Sequence, residues 1–180
     1  KEFTEWEPLA GFSGYGIVVD RQDRVWAVGL HTPAVFMYNQ ETSEWTSYET
    51  THPARRPTID SNGQIWSAHY FGNMISRVDP ATGEVKEYEL PLKDGNPYDL
   101  WPDEEDNLWV ENAIYNSLVK FDQRTEGWTY FPFPELAAHT PKLDRDGDGT
   151  LWFTLRNAAG PGLAAFKPMG NVAAGAVAGQ

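Results

Sequence analysis

Apolar and polar residues alternate along this chain in short runs, and the stretch from Arg55 to Leu90 shows the pattern most clearly. "PTID", "QIWSA", "ISRVD" and "VKEYEL" each put apolar side chains on one face with a period of two, the period of a half-buried strand. Asn62-Gly63 and Thr82-Gly83 fall between paired runs, where glycine supplies the positive φ of a hairpin turn. The pattern predicts four antiparallel strands, A to D, and requires no helix.

That unit recurs. Four of the eight tryptophans share one setting: "DRQDRVW" at Trp26, "DSNGQIW" at Trp66, "DEEDNLW" at Trp109 and "DRDGDGTLW" at Trp152, spaced by 40, 43 and 43 residues. Behind them lie "VFMYNQETSEWTSYE", "ISRVDPATGEVKEYELP", "LVKFDQRTEGWTYFPFP" and a shortened "LAAFKPMGN". A period of 40 to 45 residues made of short β runs predicts an all-β propeller with four blade repeats, the tryptophans packing between blades.

The last unit lacks strand D, while the chain opens with "KEFTEWEPL", which matches "VKEYELP" as a D strand. One reading is a closed ring of four in which this opening strand completes the last blade and covers its edge. The preferred reading is the C-terminal part of a longer propeller, which would show the same leftover strand. Residues 1–170 then form blades and 171–180, small residues without period, form a disordered tail.

Charge narrows the partners. With 26 acidic and 14 basic residues, a net charge of -12, the chain repels nucleic acid and anionic membranes. No cysteine means no disulfide, no thiolate metal site and no covalent haem in this chain. No apolar run is long enough for membrane insertion, and no phosphate loop or dinucleotide fingerprint predicts a nucleotide. The expected partner is a small-molecule or glycan ligand, with self-association or further blades of a longer chain as macromolecular partners.

"YGIVVDRQDRVWAVG", "NGQIWSAHYFGNMISRVDPATGEVKEYELP" and "GTLWFT" resemble blades of the streptogramin B (virginiamycin B) lyase family, and the resemblance runs from Tyr15 to Lys167. It implies a metal-assisted carbon–oxygen lyase that opens a cyclic depsipeptide by elimination at the ester, or a related lactone hydrolase, in a periplasmic or secreted setting. The family pairs a histidine before strand A with a glutamate at the end of strand B. Counting five residues before the strand-A aspartate gives Tyr15, Arg55, Tyr98 and His139; three after the repeat tryptophan stand Gly29, His69, Asn112 and Leu155. The pair is therefore not intact in any blade, and Glu111, one residue out of register, is expected to face the opposite way.

All four histidines, with Arg55, Arg56 and Arg156, fall in loops predicted for one face of the propeller, the mouth. That composition suits an anionic or carbonyl-bearing ligand, with arginine as a fork donor. The resulting expectation is His139 and His69 as catalytic bases or metal ligands, partly exposed, with Arg55, Tyr15, Tyr98, Asn112 and Arg156 holding the ligand. A non-catalytic binding propeller is the alternative. Asp144, Asp146 and Asp148 match the first half of a calcium loop, so a divalent ion (Mg or Ca) is a candidate cofactor there; a polar hairpin turn explains the same residues.

Overall fold

The computed structural model describes residues 2–7, 9–133, 140–156 and 162–168, and among these every regular element is a strand. Blade 1 is β1 (Gly14–Val19), β2 (Val25–Gly29), β3 (Ala34–Asn39) and β4 (Glu44–Glu49). Blade 2 is β5 (Arg56–Ile59), β6 (Ile65–His69), β7 (Met74–Val78) and β8 (Val85–Glu89). Blade 3 is β9 (Pro97–Pro102), β10 (Leu108–Asn112), β11 (Ser117–Asp122) and β12 (Gly127–Pro132). Blade 4 has three strands among the described residues, β13 (Leu143–Arg145), β14 (Leu151–Leu155) and β15 (Gly162–Phe166). Each sheet is an antiparallel meander in chain order.

One construction sets the register of all four. Asp20, Asp60, Asp103 and Asp146 each accept the indole N–H of the tryptophan six residues on, at 2.8, 2.9, 2.9 and 2.6 Å. The second oxygen accepts the backbone N–H groups two and four residues on, as Asp60 does from Asn62 and Gln64, both at 3.0 Å. The residue three before the tryptophan is left-handed in every blade: Asp23, Gly63, Asp106 and Gly149, with φ of 57°, 79°, 60° and 86°. Aspartate tolerates this conformation and glycine adopts it without strain, which accounts for the choice of residues.

This construction replaces the calcium reading. Asp146 spends one oxygen on the N–H groups of Asp148 and Thr150 and the other on Trp152. Asp148 binds Thr150 and pairs with Lys167 at 2.8 Å, while Asp144 lies in β13 and caps the N–H of Arg145. Among the described residues no group of three His, Asp or Glu side chains could hold a metal. The same register shows that Asp146, not Asp144, is the equivalent aspartate, so the position matching Tyr15, Arg55 and Tyr98 in blade 4 is Pro141, two residues beyond His139.

Tryptophans also mark the junctions between blades. Trp26 packs with Ile59, Ile65, Val78 and Val85 of blade 2; Trp66 with Leu100, Leu108, Val110 and Phe121 of blade 3; Trp109 with Leu143, Leu151 and Phe153 of blade 4. The innermost strands β1, β5, β9 and β13 follow one another in that order. Residues 2–7 are not a fourth strand of blade 4. Trp6 instead lies on Tyr38, with ring centroids 5.9 Å apart, and Trp45 donates to the Glu7 carbonyl at 3.1 Å. Ile17 and Val19 of blade 1 and Trp152 and Leu163 of blade 4 remain exposed, so the four blades form an open arc rather than a ring closed by its own first strand.

Asp60→Ala leaves a buried indole N–H and two turn N–H groups unpaired, and is expected to cost about 3 kcal/mol in urea unfolding. Asp146→Ala, beside the half-exposed Trp152, is expected to cost less than half as much.

Candidate functional site

The innermost strands bring one position of each blade to the centre: Gly16, Arg56, Asp99 and Lys142 precede the paired residues Ile17, Pro57, Leu100 and Leu143. Gly16 is required there, since a Cβ would stand 2.5 Å from the Arg55 carbonyl and 2.6 Å from Pro57. The close approach sets the two arginines beside Tyr15. Arg56 lies 3.9 Å and Lys142 3.2 Å from the Asp99 carboxylate, which also accepts the Leu143 N–H at 3.0 Å. Burial pushes the Asp99 carboxyl up, against the pull of Lys142 and Arg56.

Above this pair of cations on one carboxylate sits an aromatic enclosure. The Arg55 guanidinium lies 4.1 Å from the ring centre of Tyr70, 4.6 Å from Tyr98, 5.5 Å from Phe71 and 5.9 Å from Tyr15. Cation–π contacts of this kind hold a guanidinium plane in place while leaving its edge for a ligand. The hydroxyls of Tyr15 and Tyr98 are hydrogen-bonded to each other. Tyr98 is buried and its phenol is pushed up by burial; the hydroxyl of Tyr98, with Arg55 and Arg56, draws the phenol of the exposed Tyr15 down. Either hydroxyl of the pair is able to donate.

Three of the expected site residues are thus together: Arg55, Tyr15 and Tyr98. His69 is placed differently from expectation. It is fully buried rather than partly exposed, because β6 alternation turns it with Ile65 and Ser67 toward blade 1. Its Nδ1–H donates to the His52 carbonyl at 2.6 Å, and Nε2 accepts from Ser76 Oγ at 2.8 Å. Burial pushes its pKa down to about 4, so it is a neutral clamp on the His52 loop with no nitrogen left for a ligand.

Asn112 is also buried; its Oδ1 accepts the Tyr115 N–H at 3.4 Å and its side chain abuts Gly95, so it braces the entry to β9 and does not face the mouth. Arg156 is exposed just beyond β14, apart from the Arg55 enclosure. His139 lies outside the described residues.

Glu111 was expected to face away from its slot, and it does, but the opposite face of β10 is the one against blade 4. Its Oε1 accepts the N–H of Thr140 at 3.3 Å, and the Thr140 side chain and the Tyr98 backbone also favour its charged form. Burial pushes its pKa up to about 8. Period-two alternation on β10 contained this placement; what the sequence did not show is that this face abuts blade 4.

The sequence model of the virginiamycin B lyase family matches residues 5–174. Virginiamycin B lyase from Staphylococcus aureus, in a catalytically inactive form with quinupristin, superposes with a TM-score of 0.78 at 22% identity over 91% of this chain and 59% of that one. The selenomethionine-substituted lyase from the same organism gives 0.74 at 22% identity, covering 87% and 56%. The extracellular domain of the one-component system BT4673 from B. thetaiotaomicron gives 0.67 at 18%, covering 87% and 21%. At these identities the structures establish the propeller fold. The chain spans a little over half the length of the lyases it matches. No curated sequence matches it.

His69→Ala is expected to lower stability by about 3 kcal/mol, read by urea unfolding, by removing two buried hydrogen bonds. Glu111 and His69 also give the stability opposite pH dependences. Folded Glu111 keeps a proton that the unfolded chain releases between its ordinary 4.5 and about 8, so its contribution is complete below pH 4.5 and is lost as pH rises. His69, at about 4 against an ordinary 6.5, contributes fully above pH 6.5 and loses that contribution as pH falls toward 4. Glu111→Gln is therefore expected to flatten the decline in urea midpoint between pH 5 and 8 while leaving the acid side unchanged.

Proposed function

The chain belongs to the virginiamycin B lyase family, and from that premise we propose that its mouth binds a ring compound through an ester carbonyl or carboxylate, with Arg55 as the principal contact. The observation that carries this reading is the Arg55 guanidinium held among Tyr15, Tyr70, Phe71 and Tyr98 in a protein of net charge -12. A cation kept oriented by rings and surrounded by a negative surface is a selective anchor for one carbonyl or carboxylate oxygen pair. Binding without turnover is the reading we adopt, because no blade has the family's histidine and glutamate at its two slots: Tyr15 stands with Gly29, Arg55 with His69, Tyr98 with Asn112 and Pro141 with Leu155.

The binding reading draws on Arg55 and its rings alone, and the oxygens of Asp146 and Asp148 serve the turn of blade 4. A second reading, ring opening, draws on Tyr15. Its phenolate, favoured by Tyr98, Arg55 and Arg56, would take the proton from the carbon adjacent to the ester-bearing carbon and become the phenol. The C–H electron pair then forms a double bond, the C–O bond breaks, and the departing carboxylate is received by Arg55. An exported setting, like that of the extracellular domain from B. thetaiotaomicron, would bring such a mouth to soluble ring esters.

Isothermal titration of the chain with quinupristin tests the binding reading. Arg55→Ala is expected to weaken binding at least tenfold, about 1.4 kcal/mol, with little change in stability. Binding that ignores Arg55→Ala, or no binding at all, overturns it. Chromatography with tandem mass spectrometry of the same mixture distinguishes the second reading, since elimination leaves the mass unchanged but alters retention and fragmentation: an opened ring lost in Tyr15→Phe, with affinity kept within about threefold, would assign Tyr15 the proton transfer.

A further inference from the structure

On the face away from the mouth, the hairpin turn of one blade is answered by a side chain of the next in two of the three described junctions. The residue after the repeat aspartate is Arg21, Ser61 and Glu104 in blades 1, 2 and 3, and the left-handed residue two further on is Asp23, Gly63 and Asp106. Between blades 2 and 3, Asp106 answers the turn of blade 2: its carboxylate accepts the Ser61 N–H at 2.9 Å, the Ser61 hydroxyl at 2.5 Å and Asn62 Nδ2 at 3.0 Å. Gln123 crosses the same junction and donates to Asp60 at 3.1 Å. Between blades 3 and 4 the signs are reversed, with the Arg145 guanidinium donating to Glu104 at 2.7 Å from beside Gly149.

Between blades 1 and 2 the donors are present and the acceptor is missing. Arg21 and Gln22 stand where Ser61 and Asn62 stand, offering the same backbone N–H, a guanidinium in place of the hydroxyl and a longer side-chain amide. The residue placed like Asp106 is Gly63, where a Cβ would meet nothing within 4 Å, and the residue placed like Gln123 is Pro80. A hollow of about 370 Å³ results, lined in part by Arg21, Gln22, Ile59, Gly63, Pro80 and Ala81. The carboxylates on its walls are engaged elsewhere, Asp20 with Arg24 at 2.7 Å and Asp79 with the Ala81 N–H at 2.8 Å. Gln22 turns its Oε1 to Arg24 at 3.4 Å, which leaves its amide N–H groups to donate, and Arg21 is exposed.

We propose that this hollow binds a small carboxylic acid. Its carboxylate takes the place that Asp106 fills one junction later, on the Arg21 N–H and guanidinium and the Gln22 amide, and a short apolar body lies against Ile59, Pro80 and Ala81. Charge-assisted bonds from a guanidinium and an amide N–H orient such a group, and the volume is that of a small-molecule site. A carboxylate suits the place better than a phosphate, whose extra charge would meet Asp20 and Asp79. The hollow lies beyond the end of β5 remote from Arg56, so the site stands independently of the mouth.

The test is amide NMR of the ¹⁵N-labelled chain titrated with benzoate, with benzamide as the neutral control of the same shape. Saturating shifts of the Arg21 N–H and the Gln22 side-chain amide are expected, with Kd on the order of 1 mM, and none with benzamide. Arg21→Gln is expected to weaken binding about tenfold. Gly63→Asp supplies the missing carboxylate from within, at a place that Asp23 and Asp106 hold with φ of 57° and 60° in their own blades. Its Arg21 N–H is expected near the bound position without ligand, and benzoate no longer moves it. Arg55→Ala leaves the benzoate titration unchanged, which separates this site from the mouth. Shifts that fail to saturate, that benzamide produces equally, or that persist in Gly63→Asp would each overturn the proposal.

Discussion

A hydrogen-bonded carboxylate at the end of each innermost strand is the constraint on which the rest depends. One oxygen gathers two turn amides and the other takes an indole N–H, so a single side chain fixes the hairpin and the orientation of the largest ring in the blade. A charged acceptor serving three buried donors is worth more than the same bonds made to neutral groups. Because the indole then points at the following blade, the local turn and the contact between blades are one construction. Asp20 and Asp60 are therefore interior residues and Asp103 and Asp146 half-buried ones, all four committed to the frame rather than to the surface charge.

Above that frame the mouth is assembled from departures from the repeat. Where the pattern needs only a residue leading into an innermost strand, the chain has Tyr15, Arg55 and Tyr98; one step further in it has Gly16, Arg56, Asp99 and Lys142. The first set forms the enclosure around a guanidinium, and the second neutralises Asp99 beneath it. Gly16 links the two, because the missing side chain lets the Arg55 backbone approach β1. Positions of equal rank in the repeat thus carry unequal chemistry, as expected where a scaffold is regular and its function is not.

The strands, the turns and the packing role of the tryptophans were legible in the sequence because they rest on period-two alternation and turn residues, both local. The slots were legible only as far as the register was right. Counting from Asp144 instead of Asp146 displaced blade 4 by two residues; the constant spacing of six to the repeat tryptophan, which the Trp152 hydrogen bond explains, picks Asp146. Arg55, Tyr15 and Tyr98 came together as expected because a one-residue rule relates them to their strands. His69 did not, for its burial depends on Ser76 and on the carbonyl of His52, seven and seventeen residues away in sequence. Glu111 shows the same limit, since its neighbour Thr140 is separated from it by 29 residues.

The sameness of the junctions has a consequence for inheritance. Each of the three described junctions sets an indole of one blade against apolar side chains of the next. A gene segment of one period can be gained or lost in phase without creating a foreign interface, so selection can change the number of blades without redesigning any junction.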